Sequence, residues 1–430
     1  EKYLILLKEL YPNECTLSLN KENTKRVILI NSIESVRKFS NSKLIGMEPM
    51  ADRPKNFLFN LISKGYLGSF FRMYDSRLAE IRKSSLAGLH KLSNMANFEQ
   101  ILLDEISYFI NFLNEDNIQQ LNKMTSSDTC DLASAPIHIQ QISTNIILML
   151  GIGIRFDYNL KEDCPIKKKI NEISELLNTL DMFQIDLFRQ FDSKETMDFV
   201  NLRLDSIYDF LTKTIVDYKT NNYDRDVLNN FADYVIGKQI ESKLNAKNQQ
   251  LANEDNYSDS DIIVQVFTLL MAGAVTTGFT LSWSFYYLAK NKQIQEKIYD
   301  ELVEKFGNLN LVQPKHKQNL PYTEAFINEI LRLSSTQPLI PRSTQANVKI
   351  GEYTIPKDTT ILLNAYAIHR DEKYWPKPDE LRPERWLDEN QNLKSHLDSF
   401  IPFGTMPRSC IGDNLSRLLL FLIISNLVLR

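Results

Sequence analysis

The chain has 430 residues, of which 43% are hydrophobic and 24% are charged. These fractions are close to the averages of globular proteins, so they exclude a disordered, collagen-like or low-complexity chain. Its 50 Lys and Arg and 54 Asp and Glu give a net charge of −4, which excludes a general attraction for nucleic acid or anionic membranes. Only 13 residues are glycine, which disfavours an all-β fold and predicts a mainly α protein.

The cysteines are scattered along the chain and form no CxxC pair. This spacing indicates a reducing compartment rather than a disulfide framework, and it leaves any one of them available as a ligand. They are Cys15, Cys130, Cys164 and Cys410. The five histidines show no HxxxH pattern, so we interpret them as structural or solvated residues.

The first predicted elements are two short strands in a hairpin over residues 15–31, where apolar and polar residues alternate around a polar turn. From about residue 32 to 305, apolar residues recur every three or four positions, which predicts helices. Residues 245–261 are polar throughout, which predicts a mobile surface connection. The clearest helical patterns cover residues 97–122, 137–150, 166–190, 200–219 and 226–245.

Strand patterns return over residues 348–363. Residues 371–409 are then rich in proline, glycine and other loop-forming residues, which predicts a long irregular segment. Such a segment is unusual in a compact protein unless it surrounds a functional site.

Residues 262–289 contain no charged side chain, and a helix of that length could span a bilayer. The segment also contains Gln265 and several threonines and serines, a polar content that a lone lipid-facing helix disfavours. We therefore expect a helix that is buried on all sides in a large globule, with a membrane-spanning helical protein as the alternative.

The segment from Phe403 to Gly412 has the features of a thiolate ligand site. Cys410 lies just before a helical pattern, so free N–H groups and the positive end of the helix dipole would face its sulfur. Arg408 adds a cation, and Gly404 and Gly412 allow the backbone to pass close to a flat ligand. A sheltered thiolate is a strong ligand for iron, although a buried structural cysteine has the same pattern.

Two further motifs precede this segment. Small residues at Ala272 and Gly273, followed by Thr276, leave a groove in the uncharged helix that suits either a small molecule or helix packing. Glu329 and Arg332 lie three residues apart on one predicted helix face. With Arg385 from the irregular segment they could form a buried ion-pair group that fixes the loop carrying Cys410.

These four motifs occur in the order found in cytochromes P450, and the chain resembles that family over about residues 15–420. The resemblance is to the eukaryotic microsomal clan, which holds many drug- and steroid-oxidising members. It implies one cytochrome P450 domain over residues 1–430, a large helical domain with a small β-sheet region. It also implies haem b, iron protoporphyrin IX, as the cofactor.

The resemblance assigns a role to each motif residue. Cys410 would be the proximal iron ligand, and Thr276 would hold the water that delivers protons to the distal side. Glu329, Arg332 and Arg385 would form a structural triad behind the haem. The residues that would bind the haem or lie against it are Arg82, Ala272, Gly273, Arg342, Phe403, Arg408, Cys410 and Gly412, the arginines through the propionates.

The chain departs from the family pattern at three positions. Met406 stands where a glycine is usual, and Val275 stands where an acidic residue normally precedes the threonine. Leu78 replaces the tryptophan expected four residues before Arg82, which removes one propionate donor. Since the acidic residue helps to relay protons, Val275 suggests slower or leakier oxygen activation, or a substrate that supplies its own hydroxyl.

The activity implied is the insertion of one oxygen atom from dioxygen into an organic substrate. The distal residues are mostly apolar, which indicates a lipophilic substrate. They are Phe188, Ala272, Thr276, Leu339 and Ile340. The alternative is a haem-binding protein with lost or altered oxygen activation, which would act as a carrier, sensor or isomerase.

The resemblance also implies partners and a location. Electrons would come from NADPH through NADPH-cytochrome P450 reductase, with cytochrome b5 as a second candidate donor, and the docking surface would lie near Arg82, Lys83 and Arg417. An N-terminal anchor would hold the protein at the cytoplasmic face of the endoplasmic reticulum membrane. Neither this anchor nor the family's C-terminal strand pair is found in the sequence, so we expect both ends to be incomplete. No nucleic-acid partner is expected.

Overall fold

The computed structural model has a mainly helical architecture with a small mixed sheet, as the sequence predicts. It describes residues 15–18, 26–41, 51–54, 69–70, 72–113, 135–158, 194–249, 258–307, 310–350, 353–394, 397–405 and 408–430. Four residues named above, Cys130, Cys164, Phe188 and Met406, lie outside the described residues, as does the helix predicted over residues 166–190.

The α-helices of the described residues are interrupted by strands near the start of the chain and again over residues 339–364. They are α1 (Ile33–Asn41), α2 (Ser76–Ser93), α3 (Phe98–Phe112), α4 (Ala135–Ile152), α5 (Lys194–Asn221), α6 (Phe231–Gln249), α7 (Asp259–Lys290), α8 (Lys292–Phe306), α9 (Pro321–Ser334), α10 (Ala365–Ile368) and α11 (Asp413–Val428). Two 3₁₀-helices cover Pro314–Asn319 and Pro383–Trp386.

The sheet brings the start of the chain beside a segment more than 300 residues later. The strands are β1 (Cys15–Ser18), β2 (Arg26–Ile30), β3 (Leu339–Ser343), β4 (Val348–Ile350), β5 (Tyr353–Ile355) and β6 (Thr360–Asn364). Four of them form a sheet in the order β1-β2-β6-β3, and β4 and β5 form a separate hairpin. Strands β2 and β6 are parallel, with Val27 opposite Thr360, and the other pairs are antiparallel.

The predicted N-terminal hairpin is confirmed, with Cys15 opposite Leu29. The strand pattern over residues 348–363 is also confirmed, but β3 was not predicted. Pro341 interrupts its strand pattern, and a proline is tolerated there because β3 is the last strand of the sheet.

The polar stretch over residues 245–261 is not the continuous connection that its composition predicts. Helix α6 continues to Gln249, and α7 already begins at Asp259. Ser258 caps the start of α7, since its hydroxyl accepts a hydrogen bond from the Asp261 N–H and the Asp261 side chain accepts one from the Ser258 N–H. A polar composition therefore marks a helix start here, and residues 250–257 lie outside the described part.

Helix α7 is the central helix of the protein. By length and composition it could cross a membrane, with a mean hydropathy of 1.9 over its most apolar window. It packs, however, against the six helices α4, α5, α6, α8, α9 and α11. The contact with α4 is close, because a Cβ added at Gly273 would lie 2.7 Å from the Ile147 Cδ1 atom. These contacts favour the prediction of a buried core helix over a membrane span.

Candidate functional site

The segment before α11 folds into a compact turn around Cys410. The Cys410 N–H donates to the Phe403 carbonyl at 2.8 Å, and the Gly404 N–H donates to the Ile401 carbonyl at 3.0 Å. Gly404 has a φ of 72°, a left-handed conformation that glycine adopts without strain. Gly412 is the N-cap of α11, and its N–H points at the Cys410 sulfur at 3.3 Å. The helix start thus presents an N–H group to the thiol, as the sequence predicts.

The Cys410 thiol combines a deep position with accessible surface. Burial raises its pKa, and the approach of Asp413 raises it further, whereas the Gly412 N–H and Arg82 lower it. Cys410 nevertheless keeps an exposed surface. A thiol in this setting stays protonated by itself, but a bound metal ion would displace the proton because a coordinating thiol ionises.

Four arginine side chains from separate parts of the chain come together beside this turn. Arg82 lies on α2, Arg342 lies on β3, Arg408 lies two residues before Cys410, and Arg53 lies in the short segment 51–54. Burial lowers the pKa of each side chain, and repulsion among the cations lowers it further for Arg53, Arg342 and Arg408. The pKa falls to about 9 for Arg342 and to about 10 for Arg408.

Backbone carbonyls hold three of these guanidinium groups in place. Arg408 is 4% exposed and donates to the carbonyls of Ala51 at 2.6 Å and Arg72 at 2.5 Å. Arg82 donates to the Ser409 carbonyl at 2.6 Å, which ties α2 to the residue before Cys410. Arg53 donates to the Pro341 carbonyl at 2.7 Å. Because these contacts are neutral, they satisfy hydrogen bonds without removing the positive charge.

Arg342 carries the clearest mark of a ligand. It is 1% exposed, and its Nε and Nη2 atoms have no hydrogen-bond partner among the residues that the structure describes. A buried cation without an anion is costly, so this arrangement calls for a negatively charged group. Haem carries two propionates, and guanidinium groups bind carboxylates with paired N–H donors. The donor set and the charge of the cluster therefore fit haem.

Arg53 was missed as a site residue in the sequence. It lies in an Asp-Arg-Pro stretch that the family resemblance includes, but no local pattern distinguishes it from a surface arginine. The structure shows it 6% exposed, with repulsion from Arg342, Arg408 and Arg82 acting on its charge. Leu78, in contrast, is fully buried on α2 and offers no side-chain donor where the family has tryptophan.

The middle of α7 provides the second part of the site. Ala272 and Thr276 are exposed, although α7 is packed on most other sides. They lie four residues apart, so both face the same direction. The Thr276 hydroxyl donates to the Ala272 carbonyl at 2.7 Å, which leaves its oxygen free to accept a further hydrogen bond. Val275 packs against the hydrophobic core instead, and Leu339 and Ile340 are buried in β3.

The predicted triad residues meet behind the Cys410 segment. Both Glu329 and Arg332 are fully buried, and two guanidinium nitrogens of Arg332 donate to the Glu329 carboxylate at 2.9 and 2.8 Å. Arg385 donates to the same carboxylate at 2.9 Å, as does the Trp386 indole N–H at 2.9 Å. The backbone N–H of Arg382 completes the set at 3.0 Å. This saturated carboxylate fixes the irregular segment against α9.

Comparison with known proteins assigns the family. The family model described as cytochrome P450 matches residues 11–430. The chain belongs to the cytochrome P450 family. It is 29% identical over 387 residues to a steroid 17-alpha-hydroxylase/17,20 lyase of Squalus acanthias, and the aligned region covers 88% of this chain and 72% of that protein. It is 29% identical over 413 residues to cytochrome P450 2U1 of Homo sapiens, which covers 94% of this chain and 70% of that protein.

A third relative extends the same pattern over a shorter stretch. A steroid 17-alpha-hydroxylase/17,20 lyase of Peromyscus leucopus is 33% identical over 298 residues, which is 67% of this chain and 56% of that protein. Members of the cytochrome P450 family are typically haem-thiolate monooxygenases.

Proposed function

We propose that this P450 chain is a haem-thiolate monooxygenase that acts on a lipophilic organic substrate. The observation that carries the proposal is the group of four arginines beside Cys410, of which Arg53, Arg342 and Arg408 are buried, with Arg342 lacking a partner for two of its nitrogens among the described residues. A purely structural cysteine turn would not need this cluster of cations, in which only other arginines act on the charge of the buried Arg342. We also propose that residues 1–430 belong to one P450 domain, which the family match over residues 11–430 supports.

Each group of residues has a defined task in this proposal. Cys410 holds the iron, while Arg82, Arg342 and Arg408, together with Arg53, hold the two propionates. Bound haem supplies the iron that activates dioxygen for the insertion of one oxygen atom into the substrate.

The neighbouring residues orient and tune this group. The Gly412 N–H donates to the Cys410 sulfur and moderates its electron donation, and Phe403 packs beside the turn. On the distal side, Ala272 and Gly273 provide a groove, and the free lone pair of Thr276 holds the water that supplies protons.

We propose NADPH-cytochrome P450 reductase as the electron donor, with cytochrome b5 as a second donor, at the cytoplasmic face of the endoplasmic reticulum membrane. The names of the relatives favour a steroid or another lipophilic substrate. For donor docking, Lys83 is the exposed cation of the three expected. Arg82 is bonded to the Ser409 carbonyl, and Arg417 is bonded to Asp413 and Asn328.

One observation favours a second candidate function. Val275 packs into the core at the position from which an acidic side chain would relay protons. A haem protein with altered oxygen activation, acting as a carrier, sensor or isomerase, would have this feature. The two functions differ in NADPH use, because a monooxygenase consumes NADPH with its reductase and a lipophilic substrate, whereas the second candidate does not.

The absorption spectrum of the reduced, carbon monoxide-bound protein tests haem-thiolate binding. We expect a strongly red-shifted Soret band in the wild-type protein and its loss in Cys410→Ser. We expect Thr276→Ala to keep this band but to divert electrons from product to peroxide. A histidine-type band in the wild-type protein would contradict the proposal, and a thiolate-type band without NADPH consumption would favour the second candidate.

A further inference from the structure

A buried histidine connects the ion-pair group around Glu329 to the turn that carries Cys410. His369 follows α10 and is fully buried. Its Nε2 atom lies 3.0 Å from the Ile401 backbone nitrogen, and its Nδ1 atom lies 3.0 Å from the Ser335 hydroxyl oxygen. The His369 backbone carbonyl accepts a hydrogen bond from Arg332 at 2.8 Å.

These contacts determine the tautomer of His369. The Ile401 backbone nitrogen can only donate, so Nε2 must be the acceptor and the proton must lie on Nδ1. The Ser335 hydroxyl donates its own hydrogen to the Arg332 carbonyl at 2.9 Å, which leaves its oxygen to accept from Nδ1. The hydrogen bonds of this series therefore all run in one direction, with donors facing from Ile401 toward the Arg332 carbonyl.

The Ile401 end of this hydrogen-bond series is connected to the turn that contains Cys410. Ile401 is 5% exposed, and its carbonyl accepts the N–H of Gly404. The carbonyl of Phe403, next to Gly404, accepts the Cys410 N–H. Two hydrogen-bonded turns thus separate the residue that His369 holds from the sulfur. A displacement of Ile401 would move the frame in which Cys410 lies.

We propose that His369 is a positioning residue, which holds the Cys410 turn in register with the Arg332–Glu329 pair by accepting the Ile401 N–H. The inference rests on the proposed function, because it concerns the geometry of the thiolate ligand. In this proposal His369 performs a task that the Arg332–Glu329 ion pair alone does not perform. The guanidinium of Arg332 contacts the backbone carbonyl of His369, whereas the imidazole of His369 contacts the cysteine segment.

The electrostatic setting keeps the imidazole neutral. Burial, together with the nearby charges of Arg332 and Arg370, lowers the pKa of His369 to about 3. A protonated ring would lose the acceptor for Ile401, so the tether holds over the whole physiological pH range.

Two substitutions of His369 distinguish the roles of its two ring nitrogens. In His369→Gln the longer side chain can place its amide oxygen near the position of Nε2, which keeps the acceptor for Ile401 and loses the donor to Ser335. In His369→Asn the shorter side chain reaches only the position of Nδ1, which keeps the donor and leaves the Ile401 N–H without a partner. The two variants thus have similar polarity and opposite effects on the tether.

We expect the Gln variant to keep the thiolate-type Soret band of the reduced, carbon monoxide-bound protein. We expect the Asn variant to convert to a form without thiolate ligation at least about tenfold faster, as one buried N–H loses its partner. A shift of the iron reduction potential in the Asn variant alone would agree with this result. Equal behaviour of the two variants, whether both keep or both lose the band, would overturn the proposal.

Hydrogen exchange at the Ile401 amide gives a readout that does not depend on haem. The exchange rate should rise about tenfold or more in the Asn variant relative to the Gln variant. If the wild-type protein has no thiolate-type band, the proposed function fails, while the exchange measurement still decides whether His369 holds Ile401. If exchange is equal in both variants, the tether is wrong even with normal haem binding.

Discussion

The hydroxyl oxygens of Thr280 and Thr336 lie 2.9 Å apart and join α7 to the segment that leads into β3. Thr280 donates its hydrogen to the Thr276 carbonyl at 2.8 Å, so Thr336 must be the donor in the pair. Thr280 is 3% exposed. The pair therefore fixes the position of the segment before Arg342 relative to the helix that carries Thr276.

Replacement of Thr280 by Val should lower the free energy of unfolding by about 0.5–1.5 kcal/mol, because the Thr336 hydroxyl loses this acceptor and is left with the longer contact to the Ser334 hydroxyl at 3.2 Å. Chemical denaturation followed by circular dichroism measures this change. Thr268→Val is the matched control, since among the described residues the Thr268 hydroxyl bonds only to the carbonyl one turn earlier, at 2.7 Å from the Val264 oxygen. Equal losses in the two variants would show that the bond between the elements contributes nothing.

Glu329→Gln should be among the most damaging single changes in the chain. It removes one charge from a fully buried group in which Arg332 and Arg385 depend on the carboxylate. Breaking a buried ion pair on one side costs about 3–5 kcal/mol of unfolding free energy. Denaturation curves of the purified variant, or its failure to accumulate as folded protein, provide the measurement.

Glu384→Gln is the control for this prediction. Glu384 pairs with Lys297 at 2.7 Å, but both side chains are about half exposed. An exposed pair contributes about 0–1 kcal/mol, so this variant should remain close to the wild-type stability. A large loss at Glu384 and a small one at Glu329 would contradict the assignment of the buried group.

Arg342→Met should have opposite effects on the apoprotein and on haem retention. Without haem the substitution removes a buried cation that repels Arg82 and Arg408, so the melting temperature of the apoprotein should rise or stay constant. Haem affinity should fall about tenfold or more, because a charged hydrogen bond to a propionate is lost. Haem transfer to apomyoglobin measures retention, and calorimetry measures melting.

Arg37→Met provides a control of the same chemistry at the surface. Arg37 pairs with Asp398 at 2.6 Å, and both side chains are largely exposed. It should change neither the apoprotein melting temperature nor haem retention. Apoprotein destabilisation by Arg342→Met without a loss of haem would identify Arg342 as a structural residue.

His369 should make stability depend on pH below 6.5. Its pKa is 6.5 in the unfolded chain and about 3 in the folded protein, so the unfolded state binds one more proton between these values. Stability contributed by the neutral ring is therefore full above pH 6.5 and falls as the pH is lowered toward 3. The slope from this residue is at most about 1.4 kcal/mol per pH unit.

The measurement compares unfolding free energies at pH 6.5 and pH 5, where few carboxylates titrate. Both His369→Gln and His369→Asn should flatten the pH dependence equally, because neither amide titrates. An unchanged slope in the two variants would mean that His369 is not buried as a neutral group.

The sequence was sufficient to indicate the family, but it did not reveal how the candidate site is assembled. Cys410, Arg408 and the Glu329–Arg332 spacing are local patterns, and the order of the motifs was sufficient to indicate the family. The uncharged stretch within α7 likewise predicted a buried helix, because few charged residues are tolerated in a helix that is packed on most sides.

The parts that were missed depend on contacts between distant segments. Strand β3 was not predicted because Pro341 disturbs its pattern, and it is stable because β6 pairs with it. Arg53 acquires its importance from its burial beside Arg342, Arg408 and Arg82, and Arg342 lies almost 300 residues later in the sequence. The hydrophobic periodicity of a sequence carries no information about contacts between distant segments, so only the folded structure reveals them.

The burial of helix α11, which follows Cys410, relates retention of the proposed haem to thermal unfolding of the protein. Helix α11 starts three residues after Cys410 and contains a run of fully inaccessible side chains from Leu419 to Ser425. Since it touches α3, α7, α8 and α9, it cannot unwind from its first turn without opening the interior of the molecule. Escape of the prosthetic group through fraying of this helix would thus be as rare as global unfolding, and heating should produce one cooperative transition in which colour and secondary structure disappear together.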